Sequence, residues 1–253
     1  MYQCIESVQK ILYRHTGILP PADRAIFYEK IRTFYSKHRF ANCKDFTQAL
    51  EKNEELLQLF LEYLLVSQSY FFREMEQFRS ILEYIHTYPI ATYRFLSIPC
   101  ACGEEPYSLT IYLLEHNIRN FAITGIDIKR TCIDKAKKAT YPARKLHLVP
   151  LDVKKRYFIQ QGTSFTLKPE YTQYVHCFRK NLFDLARYPK EMFDAIICRN
   201  LFIYFDAAKK SQALDILYRL LKPNGLLLLG HADHVQNVAP FTHTLDGKYI
   251  LQK

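Results

Sequence analysis

Glycine is scarce in this 253-residue chain, seven in all, and nowhere do three of them fall into the spacing G-x-G-x-x-G. Without that fingerprint a pyrophosphate-bearing dinucleotide is disfavoured as a ligand. No run of about 18 apolar residues appears, so no membrane insertion is expected. The first residues, Met1-Tyr2-Gln3-Cys4-Ile5-Glu6, show no basic stretch leading into an apolar signal core, and the expected compartment is the cytoplasm. The seven cysteines, at 4, 43, 100, 102, 132, 177 and 198, are odd in number and lie mostly in apolar strand or helix contexts. They read as reduced core thiols, and no disulfide framework is expected. Cys100 and Cys102 lack a second cysteine pair or paired histidines at ligand spacing, so they read as small packing residues and no metal is expected.

What is present is a folded chain, 49% hydrophobic, long enough for one large domain or two smaller ones. Its most informative stretch is Cys102-Gly103-Glu104-Glu105-Pro106-Tyr107-Ser108. Upstream, Tyr93-Arg94-Phe95-Leu96-Ser97-Ile98 reads as a short apolar strand. Downstream, Pro106 in a first turn and Leu109, Tyr112 and Leu113 at helical spacing read as a helix. At such a junction Gly103 is free to take backbone angles closed to other residues and to let a ligand approach the main chain. The unpaired N–H groups of the following helix attract an anionic group. A second strand, Phe121-Ala122-Ile123-Thr124-Gly125-Ile126, ends in Asp127, at the distance from Gly103 where a nucleotide-binding α/β unit places an acid on ribose hydroxyls. A third, Phe193-Asp194-Ala195-Ile196-Ile197-Cys198, runs into Arg199-Asn200-Leu201-Phe202-Ile203-Tyr204-Phe205. Leu221-Lys222-Pro223-Asn224-Gly225 then introduces an apolar run over 226–229. Strands alternating with helices predict an α/β fold with a mostly parallel, Rossmann-like sheet whose ligand crevice lies at the carboxyl ends of the strands. A nucleoside without phosphates, such as S-adenosylmethionine, suits that crevice.

The motif series Phe71-Phe72-Arg73-Glu74, Gly103-Glu104-Glu105-Pro106-Tyr107-Ser108, Asp127, Asn181-Leu182, residues 198–205, residues 221–225 and Gly230-His231 resembles, in order and spacing, the CheR-type chemotaxis receptor methyltransferases. The resemblance spans residues 1–253. It implies a class I S-adenosylmethionine-dependent methyltransferase with S-adenosyl-L-methionine as donor and S-adenosyl-L-homocysteine as product. The acceptors it implies are glutamate side chains on the cytoplasmic helices of methyl-accepting chemotaxis receptors. Residue by residue, it implies Glu105 at the cofactor's ammonium, Asp127 at its ribose, Asn181 and Leu182 at the edge and face of the adenine, and Arg199, Asn200 and Tyr204 beside it. Ser67 and Ser69 stand where the family commonly has an Asn and a Thr that contact the cofactor. Phe71 and Phe72 read as domain-packing aromatics, whereas Arg73 is suited to grip a carboxylate, that of the cofactor or that of the substrate. Arg73 and Tyr204 are the expected catalytic residues. Two departures from the family pattern are Pro99 and Cys102 before the glycine, and His231-Ala232-Asp233 where His-Ser-Glu is common; the latter is assigned no role.

Residues 1–66, with helical spacing of Ile5, Val8, Ile11 and Leu12 and of Leu56, Leu59, Phe60 and Leu64, read as a small all-α domain. It is polarised, basic in its first part and acidic from Asp45 to Glu62, and the resemblance turns its basic helix toward the acidic region of the receptor. Residues 67–253 form the expected catalytic domain. Within it, residues 143–177, which include Tyr174-Val175-His176-Cys177, read as a small antiparallel β-subdomain. Some family members grip a receptor pentapeptide there; the short Gln160-Gln161-Gly162-Thr163-Ser164 loop argues against such a tether. Net charge is +10, and residues 129–190 carry fifteen Lys and Arg against four Asp and Glu. Such a field steers acidic partners. It keeps a nucleic-acid methyltransferase as the rival reading, although the (D/N)-P-P-(Y/F) turn of exocyclic-amine methylation is missing and no nucleic acid is expected. A non-catalytic module that senses the cofactor is the third reading, opposed by the retention of Arg73, Glu105, Asp127 and Tyr204. A monomer is expected.

Overall fold

The computed structural model describes residues 2–19, 24–65, 68–241, 243–244 and 249–253. Four helices open the chain: α1 (Tyr2–Thr16), α2 (Arg24–Lys37), α3 (Cys43–Lys52) and α4 (Glu54–Leu64). Each presents an apolar stripe to a shared core that includes Val8, Leu12, Phe34, Phe46 and Phe60. Asn42 caps α3 by accepting the Asp45 N–H. Asn53 ends α3 and caps α4 through the Leu56 N–H, so a single residue turns the chain between two helices. One expectation is corrected here: Cys4 and Cys43 are joined as a disulfide. Helix packing brings the start of α1 beside the start of α3, with 5.4 Å between the two Cα atoms.

The remaining elements are α5 (Phe78–Thr87), β1 (Tyr93–Ser97), α6 (Glu104–Glu115), β2 (Phe121–Asp127), α7 (Arg130–Lys138), β3 (Thr140–Pro142), α8 (Leu151–Tyr157), β4 (Phe158–Gln161), β5 (Ser164–Leu167), α9 (Pro169–Thr172), β6 (Val175–Arg179), β7 (Phe193–Cys198), α10 (Ala207–Leu220), β8 (Leu221–Leu229), β9 (His243–Thr244) and β10 (Ile250–Gln252). The main sheet runs β6-β2-β1-β7-β8-β10-β9, parallel from β6 to β8 and antiparallel for the last two strands. Successive residues of β1 and β7 enter opposite faces. Phe95, Ala195 and Ile197 join one apolar cluster, and Leu96, Ile196 and Cys198 join the other. Both faces are therefore covered, as a parallel sheet requires, and the strands read as near-continuous apolar runs. The chain leaves β1 toward β2 and β6 on one side, then returns to place β7 and β8 on the other. The order reverses between β1 and β7, and a crevice opens at that switch point.

The second sheet is antiparallel, in the order β3-β5-β4. It begins at Thr140, and Arg156 and Tyr157 belong to α8. The expectation that Tyr174-Val175-His176-Cys177 belongs to the insertion is corrected. Residues 175–179 form the parallel edge strand beside β2, pairing Ile123 with Val175 and Asp127 with Arg179. No helix among the described residues is long and apolar enough to cross a membrane.

Candidate active site

A cavity of about 340 Å³ lies at the carboxyl ends of β1, β2 and β7, within the range of small-molecule sites, ~300–1,000 Å³. Pro99 and Ala101 line it from the loop after β1, Asp127 to Lys129 from the end of β2, and five residues of 199–204 from the loop after β7. Ile18 and Leu65 reach it from the helical region, and Gln68, Ser69 and Arg73 from the segment that follows α4.

Asp127 is aimed by two loops. Its Oδ2 accepts the Ala101 N–H at 3.1 Å and its Oδ1 the Lys129 N–H at 2.9 Å. Burial pushes its carboxyl up to about 6, against the pull of those N–H groups and the Lys129 charge. Glu105, in the first turn of α6, accepts from Ser97 Oγ at 2.7 Å and from Arg199 Nε at 2.6 Å. Arg199 also donates to the Glu74 carbonyl at 3.0 Å and lies over the Phe78 ring, 5.4 Å from its centre. Two bonds leave Glu105 further acceptor capacity.

Arg73 sits between two left-handed residues, Phe72 (φ 64°) and Glu74 (φ 49°). Such angles are costly without glycine and persist where the surroundings impose them. Here Phe71 is fully buried and the Phe72 N–H donates to Ser108 Oγ at 3.0 Å. The Arg73 guanidinium lines the cavity; its contacts among the described residues are long, 3.5 Å to Glu74, 3.4 Å to the Gln68 carbonyl and 5.8 Å to the centre of the Tyr70 ring. The Ser69 carbonyl is held by Lys145 Nζ, which also pairs with buried Glu104 at 2.9 Å. Tyr204 lines the cavity as well. Its phenol is pushed above the ordinary tyrosine range by burial and then by the nearby Asp233 charge, so it remains a hydrogen-bond donor near neutrality.

Among the residues singled out from the sequence, Ser69, Arg73, Glu105, Asp127, Arg199, Asn200 and Tyr204 converge on this cavity. Ser67 lies outside the described residues. Asn181 and Leu182 are not brought to it: Asn181 caps the turn over 182–187 and donates to the His15 carbonyl at 2.8 Å, while Leu182 is buried in the core. Gly103 does not line it either. Gly103 takes φ 94° at the start of α6, and a Cβ there would meet the Tyr141 hydroxyl at 2.8 Å and the Ala136 Cβ at 3.0 Å. This packing and this angle account for a glycine at the position. Sequence reasoning missed Lys129, Lys145 and Asp233. Lys129 and Lys145 were visible only as positive charge, and Asp233 only as a departure from a pattern. No cluster of three metal-ligating side chains occurs among the described residues.

A mostly parallel sheet with this switch-point cavity, and with acids at the ends of its first two strand–loop units, is that of the nucleotide-binding α/β class, and the family match places it among the S-adenosylmethionine-dependent methyltransferases. Within it, residues 67–249 match the description "CheR methyltransferase, SAM binding domain", and the chain belongs to the CheR methyltransferase family. It is 31% identical over 246 residues to chemotaxis protein methyltransferase 2 of Vibrio cholerae, covering 91% of this chain and 85% of that one. It is 30% identical over 233 residues to a chemotaxis protein methyltransferase of Campylobacter jejuni, covering 92% and 88%. With chemotaxis protein methyltransferase 2 of Pseudomonas aeruginosa it shares 30% over 242 residues, covering 90% and 85%.

Proposed function

We propose that this enzyme methylates glutamate side chains on the cytoplasmic helices of chemotaxis receptors, yielding glutamate methyl esters and S-adenosylhomocysteine. The observation that carries the reading is the convergence of Asp127, Glu105, Arg73 and Tyr204 on one cavity inside the family-matched segment. Bound S-adenosylmethionine supplies a methyl group already activated on sulfonium, which an ionised carboxylate takes without a base. The protein's share is therefore position and exclusion of water. Asp127 accepts the ribose hydroxyls, Glu105 takes the ammonium with its remaining lone pairs, Arg73 grips a carboxylate through its forked donors, and Tyr204 donates its hydroxyl at the transfer centre. Incubation with methyl-labelled cofactor and a receptor cytoplasmic fragment should give a product that releases methanol in base. Base-stable label on nucleic acid would overturn the reading.

Asp127→Ala should weaken S-adenosylmethionine and S-adenosylhomocysteine alike, because a ribose contact does not distinguish sulfonium from thioether. Charge-assisted bonds of roughly 1.5–3 kcal/mol correspond to about tenfold to a hundredfold in affinity. The carboxyl is raised to about 6, and it is the ionised form that accepts the ribose. Wild-type affinity should therefore be level above that pH and fall below it until it has lost about the same tenfold to hundredfold, a dependence that Asp127→Ala abolishes. Calorimetry across pH reads both effects.

For docking, β4 and β5 are joined by a two-residue turn, Gly162 and Thr163, which supports engagement without a terminal-peptide tether. Arg32, Lys37 and Arg39 are exposed. Of the acids of α4, Glu62 is turned inward and accepts from Thr131, whereas Glu54 stays exposed while pairing with Arg179 at 2.7 Å. The basic patch is therefore local to the end of α2 and the residues just after it. Raising salt from roughly 50 to roughly 300 mM shortens the Debye length from about 14 to about 6 Å. It should raise the receptor KM and leave cofactor affinity nearly unchanged. Reversing Arg32, Lys37 and Arg39 to Glu should do the same. A KM indifferent to both would reject this mode of docking.

A further inference from the structure

Asp233 is 2% exposed, and no lysine, arginine or histidine pairs with it among the described residues. Its carboxylate is met instead by main-chain donors. Oδ2 accepts the Asn200 N–H at 2.5 Å and the Gly230 N–H at 2.9 Å, Oδ1 accepts the Ile203 N–H at 3.3 Å, and the Phe202 N–H also bonds to it. Three of these four donors belong to the loop after β7, in which Asn200 takes a left-handed φ of 59° and five of the residues over 199–204 face the cavity. Gly230 is part of the same fit, since a Cβ there would meet the Asn200 nitrogen at 2.9 Å and Asp233 Oδ2 at 3.0 Å. On its far side the loop is held by the Leu19 N–H, which donates to the Tyr204 carbonyl at 2.9 Å. Burying a carboxylate without a cation is expensive, and a ring of N–H groups offsets that cost only if the backbone is fixed around it. The neighbouring Cys198 and Tyr204 both feel its negative charge.

We infer that Asp233 is a positioning residue for methyl transfer, its carboxylate holding residues 200–203 in the one conformation that presents Tyr204 to the cavity. The inference rests on the placing of Tyr204 at the transfer centre above. It acts through Tyr204 and touches neither cofactor nor acceptor.

Asp233→Asn is the first test, because an amide turns one oxygen into a donor aimed at main-chain N–H groups while keeping the shape. If misplacement of Tyr204 is the consequence, turnover should fall by about 10²-fold, with receptor KM and S-adenosylhomocysteine affinity within about threefold of wild type. Tyr204→Phe should cost a similar factor, and the double variant should lose no more than about threefold beyond either single one. Gly230→Ala, which displaces the carboxylate without deleting it, should lower turnover in the same direction and covers the case in which Asp233→Asn does not fold. Amide hydrogen exchange over residues 200–204 is followed on the same proteins and needs no acceptor, so it decides the inference even if the proposed substrate proves wrong. Faster exchange there in the variants is expected. Wild-type turnover in Asp233→Asn, losses that simply multiply with Tyr204→Phe, or unchanged exchange would overturn it.

Discussion

Arg199→Met should destabilise the protein by about 3–5 kcal/mol, because it removes one partner of a buried ion pair and leaves the other without a counter-charge. Arg199 is 5% exposed and Glu105 8%. Their Nε and Oε2 are 2.6 Å apart, and the same guanidinium ties Glu74, and with it the Arg73 segment, to the sheet. With Arg199 gone, the partner left to Glu105 among the described residues is the Ser97 hydroxyl. At roughly 2–4 °C per kcal/mol for a chain of this size, the melting temperature should fall by about 6–20 °C. Glu105→Gln alone should also destabilise, leaving a buried guanidinium facing an amide. The double variant should be more stable than the sum of the two losses predicts, since neither charge then remains unmatched. Calorimetric melting of the four proteins reads this directly. Strict additivity would show that the two side chains are stabilised independently, and that the pair does not organise the floor of the cavity.

The sequence was most legible where local pattern and tertiary role agree. Tyr93–Ser97, Phe121–Asp127 and Phe193–Cys198 send apolar side chains to both faces, so a parallel sheet buried on both sides can be read from the run itself. The placing of Asp127 at a strand end follows from the same pattern. Val175–Arg179 misled for a physical reason: Val175 and Cys177 are buried while His176 and Phe178 are exposed. An edge strand of the main sheet and a strand of a hairpin share that alternation. Only its pairing with β2, some fifty residues away in sequence, separates the two, and no local signal carries it. Gly103 is a similar case, since the atom that would collide with its Cβ belongs to Tyr141. The Cys4–Cys43 bridge depends on how α1 and α3 pack, and a count of thiols cannot reveal it. Asn181 was carried over from a resemblance, while its side chain here joins a turn to the end of α1.

The electrostatic reading changed most between sequence and structure. The fifteen basic residues over 129–190 suggested one outward field. Several of them are spent internally: Lys129 donates to the Leu65 carbonyl, Lys145 joins Glu104 to Ser69, and Arg179 reaches Gln58 and Glu54 on α4. Glu62 meanwhile accepts the Thr131 N–H in the first turn of α7, supplying from another element the cap that Lys129 cannot. Two acids of α4 thus help to seat the helices: Glu62 on the loop after β2, whose first residues line the cavity, and Glu54 on the end of β6. Charge that looked like polarity along the chain is partly complementarity across an internal interface.

Arg73→Ala should cost the most in turnover. The residue is placed by backbone that the fold holds at φ 64° before it and φ 49° after it. Its guanidinium has long contacts among the described residues, which leaves most of its five N–H donors available to a carboxylate at the cavity wall. Its removal deletes a pre-positioned charge at the cavity wall, a loss of about 10²–10³-fold in turnover. The side chain is partly exposed and carries no core packing, so the melting temperature should hold within a few degrees, about 0.5 kcal/mol or less. Arg73→Lys should recover only part of the activity: an ammonium supplies charge without the planar fork that binds both carboxylate oxygens. Cofactor affinity separates the two carboxylates it serves. A drop in S-adenosylhomocysteine binding that matches the loss of turnover assigns Arg73 to the cofactor, whereas unchanged binding with lost turnover assigns it to the acceptor glutamate. Full activity of Arg73→Ala at saturating cofactor and receptor would remove Arg73 from the chemistry altogether.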